Sequence, residues 1–248
     1  MEGTAVLGRL TWRVAEVAAV RPETTRVKTL GLEVAGWPGH RAGQHVDVRL
    51  TAEDGYQAQR SYSIASATNG SRLELTVEQI DDGEVSPYLT EEARPGDQVE
   101  VRGPVGGFFV WDPAPGGTVL LVGGGSGVVP LMAMARQRAA AGDSVPTRLL
   151  YSARSWDDVI YRDELAGLAE RADGFEVVYA LTREQPSGWT GYSRRVDREL
   201  LAEVVPEDLA LTFVCGPTPF VEAVAEALVE LGHEPSRIKT ERFGPTGG

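Results

Sequence analysis

The run Val119-Leu120-Leu121-Val122-Gly123-Gly124-Gly125-Ser126-Gly127-Val128-Val129-Pro130 decides how this chain folds. Four consecutive apolar residues read as a strand buried on both faces. The glycines end it, and residues 129–141 read as a helix with Pro130 at its start and Gly142 behind it. Strand, glycine-rich turn and helix in that order open a parallel sheet, which binds ligands beyond the carboxyl ends of its strands. Glycines let a pyrophosphate approach the backbone, and the helix start offers unpaired N–H groups and a positive dipole end. The spacing is not G-x-G-x-x-G, because Val128 takes the place of the third glycine. A tight packing turn is the plain alternative.

The alternation continues to the C-terminus. Residues 148–152, 175–181, 209–215 and 238–243 read as strands, and 161–172, 197–205 and 219–231 as helices. With the opening unit this makes five strands and four helices, an α/β doubly wound parallel sheet. Upstream the pattern is different. Residues 12–20, 26–34, 45–50, 59–64, 73–79 and 98–102 read as short strands divided by turn residues such as Asp54-Gly55, Asn69-Gly70 and Pro95-Gly96. Six strands at this spacing predict an antiparallel β-barrel, interrupted by one short helix over 86–93. The expected division is a barrel over 1–110, a Pro- and Gly-rich linker over 111–117, and the α/β domain over 118–248.

Composition narrows the function. The 248 residues are 42% hydrophobic and 24% charged, as in an ordinary soluble domain. A net charge of −12 argues against nucleic acid as the main partner. No apolar run is long enough to span a bilayer, and the N-terminus lacks an export signal, so the expectation is a cytoplasmic protein with no membrane partner. The single cysteine, Cys215, excludes an internal disulfide and a four-cysteine iron–sulfur cluster. His40, His45 and His233 lack metal-ligand spacing and read as surface or loop residues, so no metal site is expected.

Four further stretches carry chemistry. In Arg60-Ser61-Tyr62-Ser63, Arg60 and Tyr62 share one side of a strand and Ser63 faces the other. A long ligand along that strand would meet a phosphate-pairing fork, a stacking ring and a hydroxyl. In Gly83-Glu84-Val85-Ser86, Ser86 is expected to cap a helix that begins at Pro87, a second anion site. Cys215-Gly216-Pro217, with Thr218 as the expected cap, ends the fourth parallel strand at the same crevice. Arg154 and Arg183 follow the second and third strands, where an arginine can pair with a ribose 2′-phosphate and where NAD-specific sites tend to place a carboxylate. Asp157 and Asp158 lie close to Arg154, so NADPH is favoured with NADH as the alternative.

Together these residues resemble the ferredoxin–NADP reductase superfamily, in order and over nearly the whole chain. Arg60-x-Tyr62-Ser63 is similar to its R-x-Y-S flavin motif, and Gly83-x-x-Ser86 to its second flavin-phosphate motif. Gly123 to Pro130 resembles its nicotinamide-dinucleotide loop, through Gly124, Gly125, Ser126 and Gly127, and Cys215-Gly216-Pro217 its C-G-P signature. Glu241-Arg242-Phe243-Gly244-Pro245 is similar to the E-x-F-G-P ending of flavohaemoglobin and oxygenase reductases.

The resemblance implies that Arg60, Gly83, Val85 and Ser86 bind flavin phosphates, Tyr62 stacks on the isoalloxazine and Ser63 hydrogen-bonds its N5. It places Cys215 near the nicotinamide and Phe243 at the flavin, with Glu241 helping Ser63 in proton movement. FAD is implied over FMN. The implied activity is an NAD(P)H oxidoreductase whose FAD takes a hydride and passes electrons to a separate acceptor protein: a ferredoxin, an oxygenase component or another metalloenzyme. The alternatives are a reductase of free flavin or a small diffusible acceptor, and a non-catalytic nucleotide-sensing subunit.

Overall fold

The structure, a computed structural model, describes residues 10–67, 72–112, 116–142 and 144–243. The turn at Asn69-Gly70, part of the expected linker and the terminal Gly244-Pro245 lie outside the described residues.

The first half is six antiparallel strands: β1 (Trp12–Pro22), β2 (Val27–Val34), β3 (His45–Thr51), β4 (Gln57–Ser63), β5 (Arg72–Glu78) and β6 (Gln98–Val105). Their order is β4-β3-β6-β1-β2-β5, and a bridge between Ile64 and Leu75 joins the two edges into a barrel. Alternate residues such as Val46 and Val48, Leu30 and Leu32, Leu73 and Leu75 fill the interior with almost no exposure. The period of two therefore sends Ser63, Ser61, His45, Asp47 and Arg49 to the other side of β3 and β4, where the pairing sets His45 against Ser63 and Asp47 against Ser61.

Two expected caps are not formed. The helix expected over 86–93 is a single π-helical turn, Tyr88–Glu92. Ser86 does not cap it, because its hydroxyl turns back and accepts the Ile80 N–H at 3.1 Å. Nor does Thr218 cap the last helix: the extended Pro217 precedes the helix, and Thr218 is already its first residue.

The second half alternates β7 (Thr118–Gly124), α1 (Val128–Ala141), β8 (Thr147–Ala153), α2 (Arg162–Glu170), β9 (Phe175–Leu181), α3 (Arg198–Val204), β10 (Leu209–Pro217), α4 (Thr218–Glu230) and β11 (Ile238–Phe243). The strands are parallel in the order β11-β10-β7-β8-β9. The chain runs outward from β7 to β9 on one side and from β10 to β11 on the other. A crevice therefore opens between β7 and β10, the place where such sheets bind ligands.

Helix α1 is buried throughout its first eight residues. It is apolar all round because it is covered twice, by the sheet and by Val27, Ala42, Ala65 and Phe109 of the barrel half. No helix among the described residues is long and apolar enough to cross a membrane.

Of the three histidines expected at the surface or in loops, His40 and His233 lie outside helix and strand, but His40 is buried and His45 is on a strand. His40 is only 4% exposed. Trp37 Nε1 donates to its Nδ1 at 3.2 Å, and its Nε2 faces the Ser66 carbonyl at 3.1 Å. His45 sits on a strand facing the last β-strand of the other half.

Candidate active site

Strand β4 ends at the seam between the two halves and delivers Arg60, Tyr62 and Ser63 to one wall of a cleft of about 840 Å³. Gly83, Val85 and Ser86 form its next wall, and Ser126, Cys215 and Phe243 come from the second half. A neighbouring cleft of about 880 Å³ is lined by Gly124, Gly125, Ser126, Arg154, Pro217 and Phe243. Glu78, Ser126 and Phe243 border both, so the two clefts meet.

Arg60 donates to the Gln59 carbonyl at 2.7 Å, and among the described residues its guanidinium has no carboxylate partner. It is therefore free to take an anion. Burial pushes the Tyr62 phenol well above its ordinary range, so the ring is neutral. Tyr56 on the loop before β4 donates to Glu84 at 2.6 Å, which ties the far end of this wall to the 83–86 loop.

The glycine loop divides its labour. Gly125 has φ +56° and open space beyond it, the conformation and clearance a ligand-facing turn requires. At Gly127 a Cβ would lie 2.2 Å from the Cys215 carbonyl oxygen. That glycine seats the start of α1 against the end of β10, so its need is internal packing. Gly124 is packed over by the Phe220 ring, as is Gly216.

At the seam, β11 pairs Glu241 with Cys215. Burial pushes the Glu241 carboxyl up to about 7, and its Oε2 is buried without a hydrogen-bond partner. Burial, and secondarily Glu241, push the Cys215 thiol up, so it is a neutral, inert group at this site. His45 Nδ1 stands 3.7 Å from Glu241 Oε1, and burial lowers its pKa against the opposing pull of Asp47. No hydrogen bond joins Ser63 to Glu241; His45, paired with Ser63 across the strands, stands beside both.

Arg154 lines the second cleft and has no ion-pair partner among the described residues. Asp158 is occupied, accepting the Ser155 N–H at 3.1 Å and its hydroxyl at 2.7 Å. Arg183 is not brought into the cleft lining: its N–H bonds the Arg154 carbonyl at 2.8 Å, and its side chain is exposed. Phe220, which lines the second cleft, and the supporting His45 and Tyr56, which contact Glu241 and Glu84, were not visible in the sequence, because strand pairing and packing that no local motif encodes bring them there. Among the described residues there is no cluster of three metal-ligating side chains.

These residues fit a flavin and a nicotinamide nucleotide. A free guanidinium lies along one wall, an open glycine turn heads the sheet crevice, and an unpartnered buried carboxylate oxygen belongs to Glu241, the strand partner of Cys215.

Comparison with known proteins agrees. Residues 15–110 match the family described as oxidoreductase FAD-binding domain, and residues 121–226 the oxidoreductase NAD-binding domain. The chain is 36% identical over 238 residues to ferredoxin–NADP reductase B of Sorangium cellulosum, covering 92% of this chain and 96% of that one. It is 35% identical over 209 residues to the glycine betaine monooxygenase reductase subunit of Pseudomonas aeruginosa, covering 83% of this chain and 57% of that protein's length. The Amycolatopsis cytochrome P450 reductase structure superposes with a TM-score of 0.83 at 30% identity, covering 98% of this chain and 74% of that one. With both cofactor folds matched, and a relative aligned over nearly its full length, the chain belongs to the ferredoxin–NADP reductase-like family of FAD- and NAD(P)-binding oxidoreductases.

Proposed function

We propose that this protein is an FAD-dependent NAD(P)H oxidoreductase that passes electrons to a separate redox protein, with NADPH the preferred donor. One observation carries the reading: the clefts of the two halves share Ser126 and Phe243, and Ser63 and Cys215 line the same cavity. The barrel half holds FAD along β4, and the α/β half holds the nicotinamide nucleotide at the β7–β10 crevice. Bound FAD supplies the conversion of a two-electron hydride donor into single-electron steps.

The chain's own residues supply binding and alignment. Arg60 and the backbone of the 83–86 loop hold the flavin phosphates, with Gly83 and Ser86 packed together so that no side chain intrudes. Tyr62 covers one ring face, and Phe243 closes the side shared with the second cleft. Ser63 presents a hydroxyl that accepts or donates at the flavin edge. Glu241, raised to about 7, holds a proton behind it near neutral pH, with the His45 imidazole, its pKa lowered by burial, 3.7 Å away. Cys215, buried and neutral, supplies a small polarizable wall beside the nicotinamide. The remaining requirement is donor and acceptor at near-contact distance with water excluded.

The acceptor is proposed to be a ferredoxin or an oxygenase component, in keeping with relatives named as reductase subunits of glycine betaine monooxygenase and aromatic O-demethylase. A cytoplasmic location belongs to the same proposal. Anaerobic titration of the purified yellow protein tests it: one equivalent of NADPH should bleach the flavin absorbance. A spectrum unchanged by either nucleotide would refute it.

A further inference from the structure

The two halves are held together chiefly by apolar contact between α1 and the barrel residues Val27, Ala42, Ala65 and Phe109. Such contact is non-directional. Polar side chains impose direction, and among the described residues Arg136 makes the most bonds of this kind. Arg136, on the third turn of α1, is 13% exposed and points into the seam. Its Nη1 donates to the Ala65 carbonyl at 2.8 Å and to Glu74 Oε2 at 3.1 Å, both in the barrel half. Its Nε and Nη2 hold both oxygens of Glu164 on α2 at 2.8 and 2.6 Å. The Tyr161 ring lies 4.8 Å beneath the guanidinium, and the Tyr161 hydroxyl donates across the seam to Thr76.

The contacted residues matter for the site. Ala65 is two residues beyond Ser63, where the barrel closes through Ile64 and Leu75. Thr76 itself lines the first cleft. Arg136 stands two turns down α1 from the glycine loop, about 12 Å along a rigid helix. A planar fork bonded at every edge thus ties the wall bearing Ser63 to the helix that heads the nucleotide crevice.

We propose that Arg136 is a positioning residue for hydride delivery, setting the separation and angle between the flavin wall and the nucleotide crevice from the back of the seam. The inference rests on the oxidoreductase reading above. Arg136→Lys keeps the charge and loses the fork, while Glu74→Gln and Glu164→Gln remove the partner across the seam and the partner within the second half, respectively.

The experiment uses the FAD-loaded protein and three readouts: the anaerobic rate of flavin reduction by NADPH, the Kd for NADP⁺, and amide hydrogen exchange over residues 63–66 and 74–76. Arg136→Lys should slow reduction about 10- to 100-fold while leaving FAD retention and the NADP⁺ Kd within about twofold. Exchange over 63–66 and 74–76 should accelerate, and Glu74→Gln should reproduce both effects more strongly than Glu164→Gln. Wild-type rates and exchange in both Arg136→Lys and Glu74→Gln would overturn the inference while leaving the functional reading intact, as would an equal loss of NADP⁺ affinity and rate. A wild-type protein that NADPH leaves oxidised would overturn both.

Discussion

His45 Nδ1 lies 3.7 Å from Glu241 Oε1, although one residue sits on the third strand of the barrel and the other on the last strand of the parallel sheet. The contact puts two titratable groups at the back of the candidate active site, and it exists only because the two halves are packed together.

Glu241 gives this seam a pH dependence with a definite sign. Burial raises its carboxyl from the ordinary 4.5 to about 7. Between those values the folded chain keeps a proton that the unfolded chain has released, so stability present below pH 4.5 is lost as pH rises towards 7. At about 1.4 kcal/mol per pH unit, the loss is roughly 3–4 kcal/mol. Glu241→Gln should flatten the curve, with unchanged stability near pH 4.5 and higher stability at pH 8. Urea midpoints for both proteins across this range provide the check, and parallel curves would exclude the assignment.

Arg60 is expected to carry much of the flavin-phosphate affinity. A hydrogen bond to a charged group contributes about 1.5–3 kcal/mol, so Arg60→Ala should weaken FAD binding about 10- to 100-fold. The protein should lose its colour on dilution while the melting temperature of the flavin-free form is unchanged. Equilibrium dialysis against FAD measures the effect.

Gly127→Ala tests the packing role of the glycine loop. The new Cβ would meet the Cys215 carbonyl oxygen at 2.2 Å, so α1 and β10 must separate. A stability loss of about 1–3 kcal/mol follows from such overpacking. Gly125→Ala, with open space but φ +56°, should cost less, about 1 kcal/mol. Thermal melts of both variants compare the two costs.

Arg154→Ala should discriminate between nucleotides. Arg154 has no competing carboxylate among the described residues, since Asp158 is bound to Ser155. The variant should raise the KM for NADPH about 10- to 100-fold, the worth of a charge-assisted pair to phosphate, and change the KM for NADH little. Equal losses with both nucleotides would remove the 2′-phosphate assignment. Arg183→Ala, at a side chain outside the cleft lining, should change neither.

How much was legible depends on whether a feature is local. Period-two alternation along Leu73-Glu74-Leu75-Thr76-Val77 and the strand–glycine–helix run from Val119 to Pro130 are encoded within single segments, so the barrel, the parallel sheet and their order were readable from the residues alone. The end-of-strand positions of Arg60, Ser63 and Cys215 followed from the same local patterns. Side-chain hydrogen bonding was not readable: Ser86 looked like a cap, yet its hydroxyl found the Ile80 N–H first.

The sequence by itself determined which segments become strands and helices and which chemical groups stand at their ends, because propensity and periodicity act over a few neighbouring residues. Only the tertiary structure decided that His45 pairs with Ser63, that Glu241 lies beside Cys215, and that Arg136 reaches Ala65. Strand order, register and the packing of one half on the other are set by burial and hydrogen bonding between residues far apart in the chain. No local pattern records which distant partner wins.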